Sequence, residues 1–190
     1  MTQAPLSSRT LPRILHLGCG LKRMEGAVNV DLREITRPDV VHDLDQRPWP
    51  FADGAFDEVI AYDVIEHLAD IVATMEEIHR VSVDGAIVKL TVPHFSCANA
   101  FIDITHRHWF SWFSFHYFTG ENEFPFYTAA RFRRRVAKIV FTPTIVNRVA
   151  WQLANRWPAL YEHRWAWIFP AWFLYFELEV VKDRAAGGLP

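Results

Sequence analysis

Glycines and acidic residues in the first half of the chain stand where an α/β sheet would hold a ligand. The apolar run 14–17 is followed at once by Gly18-Cys19-Gly20, and the next apolar run ends near Asp31. Glycine lets a ligand approach the backbone because it has no Cβ, and a carboxylate after a second strand can accept hydrogen bonds from both hydroxyls of a ribose. Asp43 and Leu44 offer a carboxylate and an apolar wall to an adenine. Each feature alone is typical of an ordinary turn or cap, but their order predicts a nucleoside-binding crevice.

The elements that must position these residues are short apolar strands separated by crossovers. Strands are predicted at 14–17, 27–32, 39–42, 56–62 and 86–92, and a helix over 63–81, where apolar residues recur at intervals of three and four. This alternation predicts an α/β fold of Rossmann-like type, with a mostly parallel sheet and helices on both faces, in a single domain. In such sheets ligands bind beyond the carboxyl ends of the strands.

A longer set of motifs carries a resemblance to a known family. The motifs are LHLGCG at 15–20, NVD at 29–31, HDLDQRPWPFADGAFDEVIA at 42–61, VIEHL at 64–68 and EIHRVSVDGAIVKLTVPH at 77–94. Over about residues 14–94 the chain resembles the small class I S-adenosylmethionine-dependent methyltransferases of type 11, and the combined string is far more specific than the glycines alone. The resemblance implies a methyltransferase that uses S-adenosylmethionine as its cofactor.

The resemblance also implies a cofactor role for residues that match the family's motifs. Gly18, Cys19 and Gly20 would back the methionine and ribose portion, Asp31 would hold the ribose hydroxyls, Asp43 and Leu44 would flank the adenine, and Tyr62 and Asp63 would line the methionine side. By the same resemblance, residues 13–93 would form the cofactor half and 94–183 the acceptor and lid region of one domain. A flexible arm is expected over 1–12 and a flexible tail over 184–190.

Three features depart from the family's pattern. His16 stands where the family often has Asp or Glu, and Lys22 replaces a glycine. Only residues 21–30 separate Gly20 from Asp31, whereas a parallel crossover needs a dozen residues or more. We therefore expect a short turn instead of a first helix, and a cofactor pocket that is more open on that side.

The segment after the last of these predicted strands is rich in histidine. In this family it faces the transferable methyl group, and a hydroxyl acceptor benefits from a general base such as imidazole. His94 and His106 are the candidate catalytic bases by position, and Asp103 is the candidate orienting carboxylate. The alternative is that these residues form the polar edges of an aromatic-lined wall.

The same histidines, with a nearby aspartate, resemble metal ligands in type. Their spacing matches no structural zinc pattern, and Cys97 has no Cys-x-x-Cys partner. The sequence therefore predicts no metal site.

Aromatic residues make up 15% of the chain and are concentrated in its second half. Those of segment 109–118 predict a lid over the cofactor, with core packing as the alternative. A C-terminal aromatic belt, interleaved with basic residues, fits either a peripheral membrane contact or a homo-oligomer interface. The belt comprises Trp151, Trp157, Tyr161, Trp165, Trp167 and Trp172.

Charge and cysteine content exclude several functions. Lys plus Arg number 20 and Asp plus Glu 22, so the net charge is −2 and offers no general attraction to nucleic acid. Two cysteines cannot form a disulfide framework, which favours a cytoplasmic location, with a peripheral membrane position as the variant that the belt suggests.

Taken together, these features predict a methyltransferase that acts on a small-molecule or glycan-type acceptor and not on nucleic acid. Transfer to oxygen is favoured over transfer to nitrogen because of the nearby histidines. The alternative is a non-catalytic binding or scaffold protein that retains the fold, for which a membrane surface would be a suitable location.

Overall fold

A seven-stranded sheet organises the chain in the computed structural model, which describes residues 13–120 and 127–182. The predicted arm over 1–12 and the tail over 184–190 lie outside the described residues. The strands are β1 Ile14–Leu17, β2 Ala27–Asp31, β3 Val40–Val41, β4 Phe56–Tyr62, β5 Ser82–Pro93, β6 Arg131–Val140 and β7 Phe173–Val181. The helices are α1 Ile71–Val81, α2 Asn99–Ile102, α3 His116–Thr119, α4 Ile145–Arg156 and α5 Pro158–Arg164, with 3₁₀ turns at Glu34–Thr36 and Ile65–His67.

The strand order is β3-β2-β1-β4-β5-β7-β6. The first five strands pair in parallel, and β7 is antiparallel to both β5 and β6. This confirms the predicted Rossmann-like, mostly parallel sheet in a single domain. The carboxyl ends of β1, β2 and β4 therefore lie along one edge, which brings the predicted ligand-binding residues together.

The first crossover contains no helix, as predicted from its length. Residues 18–26 form turns, held by hydrogen bonds from Cys19 N to Val30 O (3.0 Å) and from Lys22 N to Cys19 O (2.9 Å). Nine residues are too few for a helix and its two connections, so the chain returns directly to β2.

The predicted helix over 63–81 is shorter than expected. It begins at Ile71, because the Asp70 side chain accepts a hydrogen bond from Ala73 N (3.0 Å) and so forms the N-cap. The residues before it form an irregular loop that starts at Asp63, whose φ of +51° is left-handed, and contains the 3₁₀ turn. The apolar periodicity of this loop arises from packing rather than from helix.

Alternation along β5 and β7 divides the sheet into two unlike faces. On the first face Val88, Leu90 and Leu178 are fully buried. Phe132 packs on this face and contacts both His79 of α1 and Phe118 of α3, at ring-centroid distances of 5.6 and 6.2 Å. These contacts place α1 and α3 on the first face.

The second face is polar and partly exposed. Lys89 Nζ lies 2.7 Å from Glu58 Oε1, and Tyr175 donates a hydrogen bond to Glu177 (2.6 Å). Residues 131–135 include four arginines, and two of them, Arg133 and Arg135, pair with Glu179 on this face. Within the part of the chain that is described, no helix has the length and hydropathy needed to cross a bilayer.

Candidate functional site

Asp31, at the carboxyl end of β2, is held ready to accept further hydrogen bonds. Its Oδ2 accepts from Gly20 N and its Oδ1 from Arg33 N, both at 2.8 Å. Because each carboxylate oxygen has two lone pairs, capacity remains for a vicinal diol. A Cβ at Gly20 would meet no atom within 4 Å, so the space beside the carboxylate is open. This arrangement fits the ribose of S-adenosylmethionine.

Gly18 is required for packing, independently of the cofactor contact predicted for it. A Cβ at Gly18 would lie 2.4 Å from Val64 Cγ2, and the residue has a φ of +59°. The side chain of Val64 therefore fills the space that a Cβ at Gly18 would need. This contact joins the turn after β1 to the loop after β4.

The other predicted cofactor residues divide into accessible and buried groups. Asp43 accepts a hydrogen bond from Asp45 N (3.0 Å), and Asp63 accepts one from Thr91 Oγ1 (2.9 Å). Tyr62 is 38% exposed, and burial of the remainder raises the pKa of its hydroxyl. In contrast, the side chains of Cys19 and Leu44 are buried.

Leu44 and Cys19 consequently face the protein interior. Leu44 belongs to the main apolar core, and its carbonyl accepts a hydrogen bond from Trp49 Nε1 (3.0 Å). Burial raises the pKa of the Cys19 thiol, with the negative charge of Asp31 acting in the same direction. The side chain of Leu44 is therefore part of the core and does not form the exposed apolar wall predicted for it.

His16, which departs from the family's pattern, belongs to a buried network that supports the short crossover. Its Nδ1 lies 3.1 Å from Asn29 Oδ1. Asn29 donates to Asp39 Oδ2 from its backbone N (2.8 Å) and from its Nδ2 (2.9 Å). These hydrogen bonds from Asn29 hold the pKa of Asp39 below its ordinary value.

His94 lies in the protein interior, where both of its ring nitrogens are engaged. It is 0% exposed. Nδ1 accepts from Ser96 N (3.1 Å), so Nε2 carries the proton and donates to Glu162 Oε1 (3.2 Å). In this arrangement His94 connects the end of β5 to α5 and has no nitrogen available for an acceptor substrate.

Glu162 is the centre of this interior network. It also accepts hydrogen bonds from Ser111 Oγ (2.7 Å) and Trp112 N (2.6 Å). Burial opposes its ionisation, but the hydrogen bonds from His94, Trp112 and Ser111 together hold its pKa below the ordinary value. The network therefore anchors the aromatic segment 109–118 against α5.

The aromatic segment itself is mostly core. Phe110, Phe115 and Phe118 are buried, and Phe115 lies 4.8 Å from Phe176 of β7 between ring centroids. Trp109 is half exposed. Core packing, the alternative to a lid, therefore describes the three phenylalanines.

A second group of ionisable residues lies in the loop after β4. We call Glu66, His67 and His106 the Glu-His-His cluster. Glu66 is 1% exposed, and within the described part of the chain neither carboxylate oxygen has a hydrogen-bond partner. His106 Nε2 lies 4.0 Å from Glu66 Oε1, and the two imidazole rings are 4.6 Å apart between centroids.

Burial shifts the pKa values of two residues in the cluster. Burial raises the pKa of Glu66 to about 8, and the charges of Asp63 and Asp103 act in the same direction. Burial also lowers the pKa of His67, helped by the neighbouring His106. A buried carboxylate without a partner is unfavourable and calls for a compensating ligand or proton.

Hydrogen bonds orient both histidines of the cluster. Thr105 Oγ1 donates to Asp103 Oδ1 (2.7 Å) and accepts from His67 Nδ1 (2.8 Å). His106 Nδ1 donates to the carbonyl of Ala100 (3.2 Å). Asp103, predicted as an orienting carboxylate, thus acts on His67 through Thr105.

The site prediction included His106 but omitted Glu66 and His67. Both stand in the VIEHL motif, so the family resemblance contained the signal. Nothing in their spacing indicates that they meet a histidine far along the chain, because the contact depends on how segment 94–110 folds back over the loop. Arg107 N donates to Glu66 O (2.8 Å) and fixes this return.

The belt region forms an apolar groove between α4 and α5. The groove has a volume of about 630 Å³. Its lining is almost entirely apolar and comprises Ile145, Val149, Ala150, Leu153, Trp157, Leu160, Tyr161, Trp165 and Phe169. Several of these residues are more than half exposed, including Ile145 and Val149.

Solved structures establish the class of fold. A S-adenosylmethionine-dependent methyltransferase from Mesorhizobium loti matches with a TM-score of 0.54 and 16% identity, over 88% of this chain and 90% of that one. One from Archaeoglobus fulgidus matches with a TM-score of 0.56 and 15% identity, over 88% and 86%. The [4+2]-cyclase SpnF also matches, with a TM-score of 0.57 and 15% identity, over 90% and 75%. The chain has the fold of the class I S-adenosylmethionine-dependent methyltransferases.

A family model also matches part of the sequence. Residues 13–90 match the model of the type 11 methyltransferase family, described as a methyltransferase domain. Over these residues the chain is similar to that family, and S-adenosylmethionine is the cofactor that this similarity and the fold imply. A comparison with curated proteins gives no match.

Proposed function

We propose that the protein is a S-adenosylmethionine-dependent O-methyltransferase that acts on a small-molecule or glycan-type hydroxyl. When bound, the cofactor would supply an electrophilic methyl group, and the acceptor hydroxyl would lose its proton to a general base as the O–C bond forms and the S–C bond breaks. Asp31 would hold the ribose hydroxyls beside the open space at Gly20. Asp43 and Asp63 would face the adenine and methionine portions.

The contact between Gly18 and Val64 carries this proposal. It brings the turn that would bind the cofactor against the loop that contains Glu66 and His67. The Glu-His-His cluster therefore lies at the same edge of the sheet as Asp31. A buried carboxyl group beside two partly buried imidazoles is suited to activating a hydroxyl for attack on a methyl group.

Among the residues predicted to be catalytic, the proposal keeps His106 and Asp103 and does not use His94. His106 directs its Nε2 toward the buried carboxylate of Glu66. Asp103 orients the cluster through Thr105. His94 donates its proton to Glu162 and supports the packing of α5.

Calorimetric titration with S-adenosylmethionine and S-adenosylhomocysteine tests the cofactor assignment. Micromolar binding is expected, and Asp31→Ala should weaken it at least tenfold, which corresponds to about 1.4 kcal/mol. Asp53→Asn is the control, because Asp53 is exposed and pairs with Arg80 away from the edge. Absence of binding to the unmodified chain would overturn the assignment and favour the non-catalytic scaffold.

We also propose that the apolar groove and its surroundings dock on an anionic membrane surface. Within residues 144–172 the charged side chains are Arg148, Arg156, Glu162 and Arg164. Glu162 is turned inward to His94, whereas the three arginines are exposed. Exposed aromatic and aliphatic side chains between cationic ones suit the headgroup layer of an anionic bilayer.

Vesicle co-sedimentation tests this docking. Vesicles that contain phosphatidylserine should retain the chain more strongly than vesicles of phosphatidylcholine alone, and the double variant R148Q/R156Q should lose that difference. Trp167→Ala should weaken binding to both kinds of vesicle, since Trp167 is largely exposed. A concentration-dependent dimer in sedimentation velocity, without vesicle binding, would instead identify the belt as a homo-oligomer interface.

A further inference from the structure

The Glu-His-His cluster brings together two imidazole lone pairs and a buried carboxyl group. Thr105 Oγ1 gives its own proton to Asp103, so His67 must donate from Nδ1 and its Nε2 carries a lone pair. His106 likewise donates from Nδ1 to a carbonyl, which leaves a lone pair on its Nε2. The third member, Glu66, offers carboxylate oxygens that have no partner.

This arrangement of the histidines is the one found at metal centres. A histidine that binds a metal almost always donates its other ring N–H to a carbonyl or to a carboxylate network, which fixes its tautomer and orientation. His106 uses the carbonyl of Ala100, and His67 uses Thr105 and through it Asp103. Both imidazoles are thus oriented before a ligand arrives.

Hydrogen bonding within the cluster does not account for the arrangement. The separation of 4.0 Å between His106 Nε2 and Glu66 Oε1 is too long for a hydrogen bond. One ligand atom from each of the three residues can be chosen so that all lie within 4.8 Å of one another. A tetrahedral metal at ordinary bond lengths requires separations of about 3.4 Å. Closure by at most about 1.4 Å is within the reach of side-chain rotation.

We infer that Glu66, His67 and His106 form a binding site for a divalent first-row transition-metal ion. Two imidazole nitrogens and one carboxylate oxygen suit Zn²⁺, Fe²⁺, Co²⁺ or Mn²⁺ better than Mg²⁺ or Ca²⁺, which prefer oxygen ligands. The carboxylates of Asp63 and Asp103 add negative charge nearby. The sequence analysis predicts no metal site, because the spacing of the histidines matches no zinc pattern. The structure differs because Glu66 and His67 meet His106 only in the folded chain.

Three protein ligands leave at least one position open, as in catalytic rather than structural zinc sites. An acceptor hydroxyl bound there would have a lower pKa, so its O–H bond would break with the proton passing to water and the alkoxide remaining on the metal. This role rests on the proposed O-methyl transfer, whereas metal binding itself does not. His106 would then be a ligand, and the metal would take the place of a general base.

Titration of the chelator-treated, full-length chain with Co²⁺ tests the site. One Co²⁺ per chain is expected, with the strong visible absorption of a four- or five-coordinate ion, and Zn²⁺ should displace it. Glu66→Gln and His106→Gln should each raise the Kd at least hundredfold. His163→Gln is the matched control, because His163 is exposed on α5 and distant in sequence from the cluster.

A substitution outside the three proposed ligands keeps the test valid if Glu66→Gln or His106→Gln fails to fold. Thr105→Val should weaken Co²⁺ binding about tenfold by releasing His67, the size of effect expected for an outer-shell partner. Equal affinity in the unmodified chain and in both cluster variants, or an equal loss in His163→Gln, would overturn the site. Cofactor binding measured in chelator separates the two proposals: a chain that binds S-adenosylmethionine but no Co²⁺ refutes only the metal.

Discussion

Gly18 and Gly20 have nearly the same backbone conformation but different surroundings. Alanine substitutions at the two positions should therefore distinguish an effect on packing from an effect on ligand binding. Their φ values are +59° and +49°. Alanine at either position incurs the left-handed backbone penalty of about 1–2 kcal/mol. At Gly18 the new Cβ would also lie 2.4 Å from Val64 Cγ2 and 2.7 Å from Val64 Cβ, whereas at Gly20 it meets no atom within 4 Å.

The added cost at Gly18 is one of overpacking. Inserting a methyl group into a filled site costs about 1–3 kcal/mol, so Gly18→Ala should lower the free energy of unfolding by about 2–5 kcal/mol and Gly20→Ala by about 1–2 kcal/mol. Gly20→Ala should instead weaken S-adenosylmethionine binding, because its methyl group projects into the open space beside Asp31.

Urea unfolding of the single and double variants measures both effects. The double variant G18A/V64A should be less destabilised than the sum of its parts, with a coupling of about 1–2 kcal/mol, since removing the Val64 methyls relieves the clash. The reasoning is refuted if Gly18→Ala costs no more than Gly20→Ala, or if the Gly18 and Val64 substitutions are additive. Circular dichroism of each variant controls for loss of the native fold.

Further predictions concern the two buried carboxylates outside the site. Glu162→Ala should lower the free energy of unfolding by about 3–5 kcal/mol, because it leaves His94 and Trp112 with buried unpaired N–H groups; a loss below 1 kcal/mol in urea unfolding would contradict the network. Hydrogen bonds from Arg80 hold the pKa of Glu77 below its ordinary value of 4.5, against the opposing effect of burial. The stability contributed by Glu77 is therefore present above pH 4.5 and lost as the pH falls through the lower folded-state pKa. Unfolding curves of Glu77→Gln should depend less on pH in that acidic range, and an unchanged dependence would refute the assignment.

Local pattern in the sequence was sufficient for the five parallel strands. Short apolar runs predicted β1, β2 and β4, and the spacing between Gly20 and Asp31 predicted a crossover without a helix. These predictions succeed because a strand and the residues just after it are set by neighbours in the chain. The same reasoning extended the helix over 63–81 too far, since apolar periodicity does not distinguish a helix from a packed loop.

What the sequence determined by itself is therefore the class of domain and the placement of Asp31 at the end of β2. The environments of His94 and His106 depend on the tertiary structure alone. His94 is enclosed because α5 brings Glu162 to it, and His106 meets Glu66 because segment 94–110 returns across the loop after β4. Such contacts join residues far apart in the chain, and their formation depends on burial and hydrogen bonding that no local spacing encodes.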